Sequence, residues 1–308
     1  MGKIAFLFSG QGAQYPGMGR SFYEESPAVR RLYAEAEALR PGTMEQCFDS
    51  DAETLCRTEN TQPCLYLTDT AAAMVLEEQG LLPHAVAGFS LGEIPALAFA
   101  GAFSRKEGFL LACRRGELMG QASQKAPAAM MAVLKLSFET VEKLCRQQPG
   151  IYPVNYNAPG QLAVAGAKGE LRAFRTLVAE AGGMAVPLAA GGGFHSPYMD
   201  EAALAFGGVL KKTRLRSPVI PVYSNYTGRL YTRDVEGLME KQINHPVLWE
   251  RLIKRMAAEG VDVFIETGPG AVLQKLVRRI LPQASVFGVE NMEQAEAVRK
   301  ELLHVRAS

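Results

Sequence analysis

A tight turn between an apolar run and a helix-forming segment constrains this chain more than any other feature. Residues 85–87 are apolar, Gly88-Phe89-Ser90-Leu91-Gly92 follows, and a helix-forming segment begins at Glu93. Glycine is needed on both sides of so sharp a turn because a Cβ there would collide with neighbouring backbone. A G-x-S-x-G sequence in the order strand, turn, helix is typical of a serine nucleophile in an α/β protein. The pattern predicts Ser90 as the nucleophile, and a passive serine in a tight turn is the alternative.

The helix that begins beside Ser90 bears on the same chemistry. The first N–H groups of a helix lack intrahelical partners, and the start of a helix carries a partial positive charge. A carbonyl group attacked by the Ser90 hydroxyl would develop negative charge at that point. We therefore expect the nucleophile and part of its oxyanion site to lie in one turn.

Bulk composition excludes several classes of protein. The 308 residues are 48% hydrophobic and 21% charged, with a formal net charge of +1. This balance argues against a nucleic-acid binder, and no apolar run reaches the length of a membrane span. The five cysteines are odd in number and form no C-x-x-C pair. We therefore expect reduced thiols in a cytoplasmic protein, without a disulfide framework or a metal site.

The order of the predicted elements indicates two units. Strands alternate with helices over residues 1–126 and 191–308, which favours a parallel sheet covered by helices on both faces. Residues 127–190 have the order β-α-β-β-α-β, which is the ferredoxin-like arrangement. The expected architecture is thus an α/β-hydrolase-like catalytic domain formed by the two outer segments, with a ferredoxin-like small domain inserted between them.

A serine nucleophile needs a base within hydrogen-bond reach, and the chain offers four histidines. His84 starts the strand that leads to Ser90, so we predict a structural role for it. His304 falls in the last predicted helix, where a solvated face is expected. His195 follows a glycine run at the junction of the two units, where irregular backbone can present a side chain to a cleft. We predict His195 as the base, with a purely structural loop histidine as the alternative.

The third catalytic group separates reaction families. An α/β-hydrolase has the order serine, carboxylate, histidine. Between Ser90 and His195 there is no aspartate, and we expect the glutamates there to be surface charges on helices; they are Glu93, Glu107, Glu117, Glu139, Glu142, Glu170 and Glu180. A hydrolase-like set of Ser90, Glu266 and His304 would need a catalytic histidine in an amphipathic terminal helix. The sequence therefore favours a serine–histidine pair whose ring is oriented by another group, such as a main-chain carbonyl.

Seven short segments, spread over nearly the whole chain, strengthen this hypothesis. They are Ser9-Gly10-Gln11-Gly12, Gly88-Phe89-Ser90-Leu91-Gly92-Glu93, Arg115-Gly116, Gly193-Phe194-His195-Ser196, Ser224-Asn225-x-Thr227-Gly228, His245-Pro246-Val247-x-Trp249 and Glu266-x-Gly268-Pro269-Gly270. Their order resembles that in malonyl-CoA:acyl carrier protein transacylases and in the related acyltransferase domains of polyketide and fatty acid synthases.

The resemblance implies roles for the reacting groups. Ser90 would be the acylated nucleophile and His195 its base. The backbone N–H groups of Gln11 and Leu91 would form the oxyanion hole. The main-chain carbonyl of Leu248 would orient the His195 ring.

The resemblance also implies residues that bind the acyl group. Arg115 would hold the malonyl carboxylate, because a guanidinium can grip a carboxylate through two parallel hydrogen bonds. A helix-surface arginine is the alternative. Asn157 and Gln62 match positions that line the pocket. Phe194 resembles the pattern for malonyl over methylmalonyl, since a bulky ring leaves less room for a branch.

The implied activity is that of an [acyl-carrier-protein] S-malonyltransferase. It would move malonyl from malonyl-CoA to the phosphopantetheine thiol of acyl carrier protein through a seryl ester, as a monomer and without a cofactor. We expect a place in fatty acid synthesis, with a free-standing acyltransferase of a polyketide synthase as the alternative. A serine acyl-CoA thioesterase or esterase, and an inactive carrier-binding subunit, are alternatives from other classes.

Two residues depart from the family pattern. Phe89 stands where histidine is common, which affects the expected acyl selectivity and turnover. Ser9 stands where proline is common, and we expect this change to loosen the loop that holds Gln11.

Overall fold

A computed structural model of the chain describes the backbone of residues 2–307 and the side chains of residues 2–302. The strands are β1 (Lys3–Phe8), β2 (Ala85–Gly88), β3 (Ala129–Leu134), β4 (Tyr152–Ala158), β5 (Gln161–Gly166), β6 (Met184–Leu188), β7 (Val222–Tyr223), β8 (Val261–Thr267) and β9 (Ser285–Val289). The helices are α1 (Arg20–Glu25), α2 (Pro27–Leu39), α3 (Thr43–Phe48), α4 (Ala52–Cys56), α5 (Thr58–Glu78), α6 (Glu93–Phe99), α7 (Arg105–Lys125), α8 (Phe138–Gln147), α9 (Lys168–Glu180), α10 (Asp200–Leu210), α11 (Val235–Asn244), α12 (Trp249–Ala258), α13 (Val272–Ile280) and α14 (Met292–Ala307).

A five-stranded parallel sheet has the order β7-β2-β1-β8-β9. Alternate side chains of a strand point to opposite faces. On β1, Phe6 and Phe8 pack into one hydrophobic cluster while Ala5 and Leu7 pack into another. Both faces of the sheet are therefore covered by packed helices, which confirms the expectation from the sequence.

A second, antiparallel sheet has the order β4-β5-β3-β6 and carries α8 and α9 on one face. The order of its elements along the chain is the β-α-β-β-α-β order read from the sequence. The backbone of β4 also meets the segment before α12, because Tyr156 N–H donates to Val247 O and Val247 N–H to Val154 O. We propose residues 127–190 as a small domain that this contact fixes beside the large sheet.

Helix α5 begins earlier than the sequence predicts. Thr61-Gln62-Pro63 reads as a helix start, yet the helix begins at Thr58 and contains Pro63. Proline cannot donate to the carbonyl four residues earlier, at Glu59. The Arg40 guanidinium donates to that carbonyl instead, at 3.3 Å. A distant side chain thus compensates for the missing hydrogen bond, and local sequence cannot reveal this.

The carboxyl ends of parallel strands meet at one edge of a sheet, where α/β proteins commonly bind ligands. Here Gln11 lies just beyond β1, Ser90 just beyond β2, and Asn225 just beyond β7. Among the described residues, no helix is both long enough and apolar enough to span a bilayer.

Candidate active site

Ser90 lies in a strained turn at the end of β2. Its φ of 54° is in the left-handed region, which costs a non-glycine residue about 1–3 kcal/mol. A Cβ on Gly88 would overlap the Gly92 carbonyl, and a Cβ on Gly92 would overlap the Phe8 carbonyl. The two glycines therefore allow the turn to close against β1. A short 3-10 turn, Ser90–Gly92, then leads directly into α6.

His195 meets Ser90 from the loop that follows β6. Its Nε2 lies 2.7 Å from Ser90 Oγ, and the residue is buried. The φ of His195 is 61°, and its N–H donates to Ile243 O at 3.2 Å. Two residues that lie 105 positions apart are thus brought into hydrogen-bond contact.

The carbonyl that orients His195 belongs to Gln242. His195 Nδ1 lies 2.8 Å from Gln242 O, whereas the Leu248 carbonyl accepts from Leu252 N–H at 3.0 Å, so the prediction of Leu248 is wrong. Gln242 is in the last turn of α11, where carbonyls have no intrahelical donor. Because a carbonyl oxygen can only accept a hydrogen bond, the ring proton is on Nδ1. Nε2 is then unprotonated and can accept a hydrogen bond from the Ser90 hydroxyl.

Arg115 is buried beside the same hydroxyl, at 2% exposure. Its Nη2 donates to Ser90 Oγ at 3.2 Å and to Gln242 Oε1 at 2.9 Å, and its Nη1 donates to Gln62 Oε1 at 2.8 Å. No ion pair among residues 2–302 includes Arg115. By contrast, Arg114 is half exposed and pairs with Glu117. The alternative of a surface arginine therefore applies to Arg114 and is wrong for Arg115.

Burial and charge shift the pKa values of both groups. Burial, reinforced by the nearby Arg115 charge, lowers the pKa of His195 to about 3. Burial also lowers the pKa of Arg115 to about 10, although the charge of Glu93 opposes that shift. At neutral pH the imidazole is therefore a neutral base and the guanidinium remains a cation.

Asn225 holds the backbone that leads into the nucleophile. Its Oδ1 accepts from Ser90 N–H at 2.7 Å, and its Nδ2 donates to Gly88 O at 2.6 Å. The Gln242 side chain adds a third contact, since its Nε2 donates to Ser90 O at 2.5 Å. These contacts explain how the strained φ of Ser90 is maintained.

Glu93 supports Asn225 from the first turn of α6. Its Oε2 accepts from Asn225 N–H at 2.6 Å, and its Oε1 accepts from Tyr231 Oη. The prediction that Glu93 is a surface charge is wrong, because the side chain is 2% exposed. Burial raises its pKa to about 7, while the Tyr231 and Asn225 hydrogen bonds oppose the shift.

Replacing Asn225 by alanine should lower the free energy of unfolding by about 2–4 kcal/mol, because it leaves a buried N–H and a buried C=O without partners. Urea denaturation followed by circular dichroism would measure this. Asn244→Ala is the matched control, since its amide donates to Asp200 near the surface; its effect should stay below about 1 kcal/mol. Equal losses of unfolding free energy in the two variants would show that the Asn225 hydrogen bonds to Gly88 and Ser90 add no special stability.

The two residues predicted for the oxyanion hole, Gln11 and Leu91, lie in the loops that follow β1 and β2. Gln11 follows β1, and its Oε1 accepts from Thr58 Oγ1 at 3.0 Å. Thr58 Oγ1 in turn accepts from Gln62 Nε2 at 2.8 Å, which links Gln11 to the Arg115 group. No described residue accepts a hydrogen bond from the Gln11 backbone N–H. Leu91 is buried in the first turn of the 3-10 segment.

The remaining predicted residues differ in how closely they approach this group. Phe194 is buried in the main hydrophobic cluster beside His195. Asn157 lies on β4, buried with its Oδ1 unpaired, and no hydrogen bond among residues 2–302 joins it to Ser90 or Arg115. Phe89 packs edge-on against Trp249, with ring centroids 5.2 Å apart.

Glu266, the carboxylate of the hydrolase-like set, makes its hydrogen bonds to a helix start and none to Ser90 or His195 among the described residues. Glu266 is buried and accepts hydrogen bonds from Leu273 N–H and Gln274 N–H at the start of α13, so it caps that helix. The side chain of His304, named with it, lies outside the described residues. His84 Nδ1 accepts from Ile4 N–H, which confirms its structural role. The described part of the chain contains no group of three or more side chains suited to a metal ion.

The sequence analysis assigned no role to Gln242 or Asn225, although the sequence contains a signal for each. Gln242 stands near the end of a helix that stops before His245-Pro246, which exposes its carbonyl. Asn225 directly follows the strand that pairs with β2, so register alone places it opposite the turn.

Comparisons with known proteins show the family of the chain and its fold. Residues 5–301 match the family model described as the acyl transferase domain. The chain is 37% identical over 304 residues to a malonyl CoA-acyl carrier protein transacylase of Bacillus subtilis, covering 96% of each. It superposes on a malonyl CoA-acyl carrier protein transacylase of Clostridium perfringens with a TM-score of 0.95, 32% identity, and coverage of 99% and 98% of the two chains. A malonyl-transacylase solved in complex with its type II PKS acyl-carrier protein gives a TM-score of 0.93 at 30% identity, covering 97% and 99%.

Proposed function

The chain belongs to the acyl transferase family, and on that premise we propose that it is an [acyl-carrier-protein] S-malonyltransferase. It moves a malonyl group from malonyl-CoA to the phosphopantetheine thiol of acyl carrier protein. The observation that carries this proposal is the convergence on Ser90 Oγ of a neutral imidazole at 2.7 Å and a buried guanidinium at 3.2 Å. A nucleophile, a base and a cation at one point suit an acyl group that ends in a carboxylate.

Arg115 selects for that carboxylate. A buried cation without an anionic partner is unfavourable, so a substrate that supplies the anion gains binding energy at this point. Gln62 and Gln242 accept hydrogen bonds from the guanidinium and fix its plane. A planar, fixed guanidinium can form two parallel hydrogen bonds with a carboxylate. An acetyl group offers no such partner, and the charge would stay unpaired.

The first half-reaction acylates Ser90. His195 Nε2 takes the hydroxyl proton while Ser90 Oγ attacks the thioester carbon. The negative charge on the carbonyl oxygen is stabilised by the N–H groups of Gln11 and Leu91. When the intermediate collapses, the carbon–sulfur bond breaks, and the proton on His195 passes to the departing CoA sulfur.

The second half-reaction reverses these steps and transfers the malonyl group from Ser90 to a different thiol. The phosphopantetheine thiol of the carrier gives its proton to His195 and attacks the Ser90 ester carbon. The oxyanion forms again at the same two amides. The carbon–oxygen bond then breaks, and His195 returns the proton to Ser90 Oγ, which regenerates the free enzyme.

Two features favour transfer over hydrolysis. The His195 ring is oriented by the Gln242 carbonyl, so no acidic third member of a hydrolase triad is in place. His195 and Arg115 are buried on either side of a partly exposed Ser90, which limits the access of water to the ester. We assign the reaction to fatty acid synthesis in the cytoplasm, by a monomer. Free thiols at all five cysteines support the cytoplasmic location.

A discharge experiment tests the function. The enzyme is loaded with radioactive malonyl-CoA, separated from free nucleotide, and mixed with holo acyl carrier protein or with buffer. We expect label to move to the carrier rapidly in the first case and to stay on the protein in the second. Release of free malonate at the same rate without carrier would identify a thioesterase instead.

The pH dependence of Ser90 acylation should reflect the low pKa of His195. A histidine of ordinary pKa would be about nine-tenths protonated at pH 5.5 and could not act as a base. Because the pKa of His195 is lowered to about 3, its base form persists there. Two other buried groups titrate in this range: burial raises the pKa of Glu93 to about 7 and that of Glu266 to about 6. Glu93 supports the Ser90 turn through Asn225, whereas Glu266 caps α13.

Stopped-flow measurement of acylation between pH 5 and 8 checks this, in the wild type and in Glu93→Gln. We expect the Glu93→Gln profile to be flat from pH 5.5 to 7.5. An inflection near pH 6.5 that persists in Glu93→Gln, and also in Glu266→Gln measured as a control, would show that His195 titrates normally.

A further inference from the structure

Ser9 and Asp69 form a buried pair that the reaction scheme does not use. Ser9 Oγ donates to Asp69 Oδ1 at 2.6 Å, and both residues are 0% exposed. Asp69 comes from the middle of α5, and its Oδ2 has no hydrogen-bond partner among the described residues. No ion pair within residues 2–302 includes Asp69. A buried carboxyl with so few partners is costly and needs a reason.

The pair lies where three loops of the sheet edge meet. Ser9 is the first residue after β1 and is followed by Gly10 and Gln11. A Cβ on Gly92, in the turn of the nucleophile, would collide with the Ser9 carbonyl. A Cβ on Gly268, in the loop after β8, would collide with Asp69 Oδ1. Asp69 therefore lies directly beneath the start of the loop that carries the Gln11 amide.

The residue type at position 9 explains why the loop that carries Gln11 needs a hydrogen bond to fix its start. The family that the chain resembles commonly has proline at position 9, and a proline ring fixes φ. Serine gives no such restriction, so we expected a looser loop. The structure shows instead that the Ser9 hydroxyl is anchored to a helix of the core, which restricts the loop by another route.

We propose that Asp69 is a positioning residue, which through its hydrogen bond to Ser9 holds the backbone N–H of Gln11 where the oxyanion forms. The proposal rests on the proposed role of Gln11 in malonyl transfer. A displacement of about 1 Å at a catalytic group can lower a rate by roughly a hundredfold, so a fixed loop start has a large kinetic value.

The charge state of Asp69 suits this task. Burial raises the pKa of Asp69 well above its usual range, and the nearby Glu266 raises it further, while the hydrogen bonds from Ser9 act in the opposite direction. This shift favours the neutral acid, which accepts the Ser9 hydrogen bond and places less negative charge near the oxyanion. Asparagine, which keeps the carbonyl acceptor and is also neutral, should therefore replace it.

The test measures the rate constant of Ser90 malonylation at saturating malonyl-CoA, together with the KM. We expect Ser9→Ala and Asp69→Ala each to slow acylation by roughly tenfold or more, with KM changed by less than about threefold. Asp69→Asn should stay within about threefold of wild type. In the double variant Ser9→Ala/Asp69→Ala the loss should equal that of one single variant, because both remove the same hydrogen bond.

Thr68→Val is the matched control, since Thr68 is the neighbouring buried residue of α5 and its hydroxyl bonds Cys64 O, away from the loop. It should lose stability in urea but keep the acylation rate. Wild-type rates in Ser9→Ala, or equal slowing in Thr68→Val and Ser9→Ala, would overturn the proposal. If the wild type itself formed no Ser90 ester, the proposed function would fail; if only Ser9→Ala were unaffected, the tether alone would fail.

Discussion

Replacing Ser90 by alanine is expected to abolish both the acylation of the enzyme and the transfer to the carrier, with a loss in kcat of at least about 10⁴-fold. In the proposed mechanism this hydroxyl receives the malonyl group, and the alternative nucleophile would be water. His195 and Arg115 remain in place in this variant, so malonyl-CoA should still bind. Isothermal titration would show binding, while a radioactive filter assay would show no bound label.

Ser123→Ala is the control for this experiment. Its hydroxyl donates to the Met119 carbonyl within α7 and makes no contact with Ser90. We expect it to load malonyl at close to the wild-type rate. Label that survives in Ser90→Ala, stable to gel filtration, would move the nucleophile to another residue.

Replacing Arg115 by alanine is expected to lower kcat/KM for malonyl-CoA on the order of a hundredfold or more, because the substrate carboxylate would be desolvated without a partner. The rate with acetyl-CoA should change far less, so the ratio between the two substrates should collapse. Arg115→Lys should fall between these limits, since an ammonium keeps the charge but loses the planar pair of donors.

Arg114→Ala provides the comparison for Arg115. The two arginines are adjacent, yet Arg114 is half exposed and pairs with Glu117 in the next turn. We expect its substrate preference to match that of the wild type. Equal losses for malonyl-CoA and acetyl-CoA in Arg115→Ala would mean that Arg115 supports the fold of the site and does not select the acyl group.

Much of the fold could be predicted because its elements are marked locally. Helix α2 begins at Pro27 with Ser26 as its cap, as Ser-Pro at a helix start predicts. Strand β1 is apolar and buried from Ile4 to Phe8, as an apolar run of this length predicts. The short helices α1, α3 and α4 were not predicted, since five or six residues are too few to show a helical period.

In the site as well, residues marked by their own sequence segment could be predicted, whereas residues whose role depends on distant contacts could not. Ser90 is marked by its own flanking glycines, and Arg115 and His195 fall in segments that resemble a family. The carbonyl that orients His195 carries no side-chain signature, so Leu248 was predicted where Gln242 acts. The burial of Glu93 depends on Asn225 and Tyr231, which lie more than 130 residues away along the chain. Such partners become visible only after the chain has folded.

The most direct measurement is mass spectrometry of the peptide that contains Ser90 after brief mixing with malonyl-CoA. We expect a single malonyl adduct on Ser90, which disappears when holo acyl carrier protein is added and reappears on the carrier's phosphopantetheine. An unmodified Ser90 peptide, or an adduct on another residue that the carrier discharges, would contradict the seryl-ester account.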